Sequence, residues 1–101
     1  MTDLTEAQRK YLRGLGHRLQ PLARVGNAGL SESFVAELDR ALAHHELVKI
    51  RVPSGGDREG RDASIADLVT RLGATLVAKI GHVAVLYRRN ATAPRITLPA
   101  A

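Results

Sequence analysis

Apolar residues recur along this chain with two different periods, which predict helices alternating with short strands. In the first twenty residues they fall three and four positions apart, and the predicted buried stripe passes through Tyr11, Leu12 and Leu15. Thr5 followed by Gln8 predicts a capping box, in which each side chain accepts a hydrogen bond from the other residue's backbone N–H. The chain is therefore predicted to open with an amphipathic helix that frays or ends near its second glycine, at position 16.

The helical spacing returns twice further along the chain. A second helix is predicted to begin after Ser31, a good N-cap, and its apolar stripe ends at His45. The members of that stripe are Phe34, Val35, Leu38, Ala41, Leu42 and His45. A third helix is predicted to begin between Asp57 and Asp62, and Gly73 provides its C-terminal stop. Each stripe is expected to face the core.

Short runs rich in apolar residues predict four strands between and after these helices. Their predicted bounds are 22–25, 46–52, 75–80 and 82–88. Strands separated by helices imply parallel crossovers, whereas Gly81-His82 suits a two-residue hairpin and makes the last pair antiparallel. The predicted fold is a single α/β domain over residues 1–101, with the order αβαβαββ and a four-stranded mixed sheet packed by helices. Residues 90–101 are predicted to form an extended tail, pinned to the body by Ile96 and Leu98.

A glycine loop joins the first predicted strand to the second helix. Gly26 and Gly29 bracket a two-residue tip, Asn27 and Ala28, and both glycines can take the positive φ that turns several backbone N–H groups to one side. The loop runs into a helix N-terminus, whose unpaired donors also favour anions. The pattern predicts a phosphate site, although glycines at a strand-to-helix corner are more often there for the turn alone.

Charge is distributed unevenly along the chain, whose formal net charge is +5. Successive segments carry net charges of +3, −1, −1 and +4, over residues 1–30, 31–52, 53–74 and 75–101. The first helix has a basic ridge on the side away from its apolar stripe, formed by Arg9, Lys10, Arg13 and His17. With Arg24 in the first strand and the basic last segment, this ridge predicts a surface that binds a polyanion.

Composition narrows the possible chemistry. The chain has no cysteine, which excludes disulfides and thiolate metal sites. His44 and His45 are adjacent and therefore point about 100° apart on a helix, and no activated nucleophile accompanies the four histidines. A nucleotide-binding loop needs a lysine after its last glycine, where this chain has Leu30. We therefore expect a protein that is not an enzyme and uses neither a metal nor a cofactor.

No apolar run approaches the length of a membrane span, and the first residues lack the basic-then-apolar order of a signal peptide. We therefore expect a soluble cytoplasmic protein without a membrane partner.

Three separated stretches resemble one known family. They are GLGHRLQPLARVGNAGLSESFVAELDRALAHHELVKIRV at 14–52, GHVAVLYRR at 81–89 and RITLP at 95–99. Together they resemble the chloroplast RNA splicing and ribosome maturation (CRM) domain in its single-domain bacterial, YhbY-like form. The resemblance implies a fold similar to the C-terminal domain of bacterial translation initiation factor three. It also implies RNA as the partner, in precursors of the large ribosomal subunit. Many members of the family carry a lysine within the loop, where this chain has Asn27 and Ala28.

These observations predict a monomeric RNA-binding protein that aids ribosome assembly by clamping an RNA backbone. The predicted RNA-binding residues are Gly26, Asn27, Ala28, Gly29, Arg9, Lys10, Arg13, His17 and Arg24. Stacking on bases is expected to be minor, because the three aromatic residues fall on predicted buried stripes or strands. The alternative is a basic interaction module that binds an acidic partner without touching RNA. Lys49, Arg51 and Lys79 either line the open face of the sheet or are only solvated.

Overall fold

Helices and strands alternate along the chain in the predicted order. The computed structural model describes residues 4–24, 31–52 and 58–99. The elements are α1 (Glu6–His17), β1 (Ala23–Arg24), α2 (Glu32–His45), β2 (Leu47–Arg51), α3 (Arg58–Leu72), β3 (Thr75–Ile80) and β4 (Val83–Tyr87). None of the described helices is long and apolar enough to cross a membrane.

The body of the sheet is three antiparallel strands in the order β2-β4-β3. β1 extends it at the β2 edge by two residues that pair in parallel, with Ala23 opposite Ile50 and Arg24 opposite Arg51. Of the strand predicted at 22–25, residues 23 and 24 form β1, and Val25 lies outside the described residues. β2 and β3 run in the same direction but are not neighbours, because β4 lies between them. The predicted parallel pairing therefore occurs only between β1 and β2.

Helices cover both faces of this sheet. On one face, α2 and α3 contribute five of the eleven described buried residues of the larger core cluster, which also contains Ala84 and Leu86 of β4. On the other face, Leu12 of α1 packs on a cluster that includes Val85 and Tyr87 of the same strand. This division follows from the alternation of side chains along a strand. α1 and the tail therefore form one layer, which we call the α1 face, and α2 and α3 form the opposite layer.

Local chemistry sets the ends of the elements as the sequence predicts. The capping box is present at α1, with both hydrogen bonds between Thr5 and Gln8 at 3.1 Å. Ser31 caps α2, and its Oγ accepts a hydrogen bond from the N–H of Phe34 at 3.1 Å. Gly73 follows α3 with φ of 61°, and the turn between β3 and β4 begins at a glycine with φ of 59°.

Two residues predicted to be buried are exposed. Leu12 and Gly16 are the buried residues of α1, whereas Tyr11 is 43% exposed. His45 is also exposed, at the last position of α2. The prediction that these two residues belong to the buried stripes is wrong, because both lie at the margin of their stripe and the sheet contacts its centre.

The two glycines of α1 have different surroundings. A Cβ atom at Gly16 would lie 2.8 Å from Cγ1 of Val85, which is closer than side chains normally approach. A Cβ atom at Gly14 would meet nothing within 4 Å. Gly16 therefore allows α1 to lie close to β4, and Gly14 has no such packing role.

We expect alanine to have opposite effects at these two positions. At Gly16, overpacking against buried, β-branched Val85 costs about 1–3 kcal/mol, which exceeds the gain of up to about 1 kcal/mol in helix propensity. At Gly14 the added methyl group meets no neighbour, so only the gain in helix propensity remains. Thermal unfolding should therefore show a lower Tm for Gly16→Ala and a Tm raised by a few degrees for Gly14→Ala. A higher Tm for both variants would show that α1 does not depend on close approach to β4.

A buried carboxylate joins the tail to the body. Glu46 follows α2 with φ of 66° and is 0% exposed. Its Oε1 accepts hydrogen bonds from the N–H groups of Arg95 and Ile96 at 2.6 and 2.7 Å. Its Oε2 accepts one from the N–H of Asn90 at 2.7 Å. The sequence predicted Glu46 as the first residue of a strand, whereas β2 begins one residue later.

The hydrogen bonds to Glu46 also set its acidity. Burial by itself raises the pKa of this carboxyl, but the three backbone N–H groups and the charge of Arg89 outweigh burial, so that the pKa is lowered from its ordinary value. Ile96 and Leu98 pack against the cluster around Leu12, which agrees with the prediction that they pin the tail. The tail is therefore part of the α1 face.

Candidate nucleic-acid interface

The two layers that cover the sheet differ in charge. α1 contains three basic residues and one acidic residue, whereas α2 and α3 together contain four basic residues and six acidic residues. Lys49 belongs to the α1 face, because Val48 and Ile50 on either side of it pack in the opposite layer. Arg51 follows Lys49 by two positions and is exposed on the same face. Net positive charge is thus concentrated on the α1 face.

Arg88 and Lys79 of the opposite layer are paired with carboxylates. Nη1 of Arg88 lies 2.6 Å from Oδ1 of Asp39, and the same guanidinium donates to the backbone carbonyl of Leu72. Lys79 contacts Asp62 on α3. The net charge of +4 in the last segment is therefore partly neutralised by the acidic helices. The prediction that this segment adds to a basic surface does not hold for Lys79 and Arg88.

Cations on the α1 face lack such partners. In the ranges 4–24, 31–52 and 58–99, no carboxylate lies within ion-pair distance of Lys10, Arg13, Arg18, Lys49 or Arg51. Lys49 Nζ donates a hydrogen bond to the backbone carbonyl of Leu19 at 3.2 Å, which leaves its charge uncompensated. A surface with uncompensated positive charge attracts polyanions.

Arg13, His17 and Lys49 come together at a groove of about 200 Å³. The groove lies between the C-terminal half of α1 and the hairpin of β3 and β4, and its walls include Val83 and Ile80. Ile80 is 65% exposed at the margin. Basic side chains beside an apolar floor can bind phosphate oxygens with charge-assisted hydrogen bonds.

Arg9 is separated from the rest of the predicted ridge. It is half-buried, and its Nη1 donates to the carbonyls of Leu76 at 2.6 Å and Val77 at 3.4 Å. These carbonyls lie at a register shift in β3, an edge strand of the sheet. The prediction that Arg9 stands on the solvent side of α1 is wrong, since its guanidinium ties the helix to the sheet. Lys10, Arg13 and His17 are exposed as predicted.

The glycine loop lies outside the described residues, and its participation in the site stays a prediction. The backbone of Arg24 is opposite Arg51, which is in turn opposite Val83 at the groove. The chain therefore enters the segment that holds Gly26, Asn27, Ala28 and Gly29 from the groove end of the sheet.

Sequence reasoning left the role of Lys49 open, and the structure distinguishes it from Lys79. Lys49 lines the groove on the α1 face, whereas Lys79 pairs with Asp62 in the opposite layer. The alternation along β2 indicated that Lys49 and Arg51 share a face, but not that α1 lies on that face. Within the described part of the chain, no group of three or more His, Asp or Glu residues could hold a metal ion.

Comparison with known proteins identifies the family. The family model of the CRS1/YhbY (CRM) domain matches residues 4–88. The chain belongs to the CRM domain family. The match begins before α1 and ends after β4, so it includes all seven elements of the fold.

Several relatives of this CRM domain are named for RNA binding. An RNA-binding protein of Haemophilus influenzae is 43% identical over 99 residues, which cover 98% of each chain. A probable RNA-binding protein of Bacillus subtilis, YqeI, is 32% identical over 95% of this chain and 99% of its own. A solution structure from Staphylococcus aureus, of a protein proposed to bind RNA, has a TM-score of 0.71 and 30% identity, and the match covers 96% of this chain and 100% of that one.

Proposed function

We propose that this CRM domain binds structured RNA through the phosphate backbone, with the α1 face as its binding surface. The observation that carries the proposal is the separation of charge between the two layers. Lys79 and Arg88 are paired with carboxylates of the α2 and α3 layer, whereas Arg13 and Lys49 meet at a groove without a carboxylate partner among the described residues. Phosphate contacts supply most of the affinity of such surfaces and carry little sequence information.

The proposed site joins the groove to the glycine loop. Backbone N–H groups of residues 26–29 would contact one phosphate, as in other glycine loops that clamp RNA backbone. Lys10, Arg13, His17 and Arg24 would neutralise the neighbouring phosphates. Arg9 is assigned a structural role in positioning α1 and not a phosphate contact, because its guanidinium donates a hydrogen bond to the carbonyl of Leu76.

The proposed RNA belongs to precursors of the large ribosomal subunit. This part of the proposal is supported by the family resemblance, and the names of the relatives support RNA binding in general. Sedimentation of lysate on gradients tests it, because the chain should migrate with large-subunit precursors and should lose that migration after nuclease treatment. Migration that persists in nuclease-treated lysate would favour the alternative, an acidic protein partner.

We expect the affinity for structured RNA to fall steeply with salt. If about four phosphates are neutralised, log K should decrease against log salt with a slope near −3, at roughly 0.7–0.9 per contact. Filter binding of a labelled RNA hairpin between 50 and about 300 mM salt measures the slope. A slope indistinguishable from zero would show that the unpaired cations of the α1 face do not contact phosphates.

A further inference from the structure

Tyr11 is the exposed aromatic residue of this chain. The sequence contains two tyrosines, one phenylalanine and no tryptophan. Tyr87 is 4% exposed and Phe34 is packed against the core of the α2 and α3 layer, whereas Tyr11 is 43% exposed on α1. Stacking on bases was expected to be minor because Tyr11 was predicted to be buried. Since Tyr11 is exposed, that reason no longer applies.

Small neighbours leave the ring of Tyr11 open to solvent. On a helix the residues three and four positions before and after Tyr11 are its neighbours, and here they are Ala7, Gln8, Gly14 and Leu15. The side chain of Gln8 is held by hydrogen bonds in the capping box and to the tail, and Leu15 packs on the core cluster of the α1 face. Ala7 and Gly14 are exposed, and a Cβ atom at Gly14 would meet nothing within 4 Å. Ala7 and Gly14 therefore provide no long side chain that could cover the ring.

Cations flank the ring on the solvent side of α1. Arg18 follows Tyr11 by seven positions, two turns along the same side, and its backbone is still helical. Lys10 precedes Tyr11 and points about 100° away, toward Arg13. Lys10, Arg13 and Arg18 are all exposed and have no carboxylate partner among the described residues. Arg18 therefore shares the ring's side of α1 and Lys10 the adjoining side, whereas Arg13 points about 160° away from the ring, toward the groove.

We propose that Tyr11 is a stacking site for one unpaired nucleobase, with Lys10 and Arg18 on the adjoining phosphates. This inference rests on the proposed function and narrows its ligand to RNA that offers an unpaired base in a loop, bulge or end. Every base has a π face, so stacking on an exposed ring tolerates any sequence. Bases inside an A-form duplex are already stacked on their neighbours and hidden from a side chain on a helix surface. The ligand class is therefore single-stranded or interrupted RNA.

Two RNAs and two substitutions of Tyr11 test the stacking site. The RNAs are a hairpin with an unpaired loop and a blunt duplex of equal phosphate number, and the variant is Tyr11→Leu, which keeps apolar volume but removes the ring. NMR of the full chain is the direct readout, since the hairpin should shift the ring protons of Tyr11 upfield while those of buried Tyr87 stay unchanged. Tyr11→Leu should bind the hairpin about tenfold more weakly and the duplex equally. Tyr11→Phe, which retains the ring, should restore hairpin affinity to within about threefold.

The possible outcomes distinguish a failure of the stacking site from a failure of the proposed function. If wild-type protein binds both RNAs with a steep salt dependence but Tyr11→Leu changes neither affinity, the stacking site is wrong and backbone binding stands. If wild-type protein binds neither RNA, the proposed function itself fails. Unchanged Tyr11 resonances at saturating hairpin would overturn the stacking site whatever the affinities show. An unchanged Tm of Tyr11→Leu excludes loss of fold as the cause of weaker binding.

Discussion

Reversing Lys10 and Arg13 to glutamate is expected to weaken binding to structured RNA by about 10–100-fold at low salt. Both side chains are exposed on α1, and neither has a carboxylate partner among the described residues, so the fold should tolerate the change. The double variant both removes two phosphate contacts and adds two repulsive charges beside the groove. Filter binding and gradient sedimentation measure the loss. The slope of log K against log salt should become shallower in the variant, by the amount that corresponds to roughly two phosphate contacts.

The control for this variant must change net charge equally at a distance from the α1 face. Arg88 is unsuitable, because it pairs with Asp39 and donates to the carbonyl of Leu72. Arg40 and Arg71 are both exposed, on α2 and α3 of the opposite layer. Arg71 has only a surface pair with Asp67 at 3.1 Å, which contributes a few tenths of a kcal/mol.

Arg40→Glu with Arg71→Glu lowers the net charge from +5 by the same amount as the α1 variant. A diffuse field would weaken RNA binding equally in both variants, whereas a site on the α1 face predicts a much larger loss for Lys10→Glu with Arg13→Glu. Equal losses would therefore count against the proposed surface. Arg9 is left unchanged in this comparison, since its reversal would also detach α1 from β3.

Replacing Glu46 by alanine is expected to release residues 90–99 and to lower the free energy of unfolding by about 2–3 kcal/mol. The carboxylate accepts three backbone hydrogen bonds from the tail, and hydrogen bonds to charged groups are the stronger class. Its loss also frees Ile96 and Leu98 from the α1 face. Urea unfolding measures the stability, and amide exchange at Asn90, Arg95 and Ile96 reports whether the tail has detached.

The same carboxylate predicts a pH dependence with a defined sign. The folded pKa of Glu46 is lowered, so near pH 4 the folded state binds fewer protons than the unfolded state. The stability that Glu46 contributes is therefore fully present above its ordinary pKa of 4.5 and is lost as the pH falls through the folded value. Wild-type protein should lose more stability between pH 6 and pH 3 than Glu46→Gln, which cannot ionise. Parallel losses in the two proteins would show that another group governs the acid response.

Local chemistry could be predicted from the sequence because it depends on residues a few positions apart. Thr5 with Gln8, Ser31 and Gly73 set helix ends by short-range hydrogen bonds and permitted φ values, and the structure confirms each of them. The order of elements followed from hydrophobic periodicity in the same way. The family could also be identified from the sequence, since each motif that carries the resemblance is a contiguous stretch of residues.

Which side of each element meets its neighbour was decided only by the tertiary structure. Apolar positions on α1 span a wide arc, and periodicity alone gives the angles between residues but not which part of the arc faces the sheet. The close approach of Gly16 to β4 fixes which side of α1 faces the sheet. In that orientation Tyr11 is exposed and the guanidinium of Arg9 reaches the edge of β3. The exposed aromatic residue and the structural arginine are consequences of the same contact.

Contacts between residues far apart in the chain likewise could not be predicted from the sequence pattern. Glu46 meets amide donors that lie 44 to 50 positions further along the chain, and Arg88 meets Asp39 across 49 positions. Segment charges therefore counted Arg88 as part of a basic region, although folding places it against an acidic helix. The sequence by itself determined the elements, the family and the amount of positive charge. The tertiary structure decided which cations remain available to a polyanion, because only packing shows which of them already have a carboxylate partner.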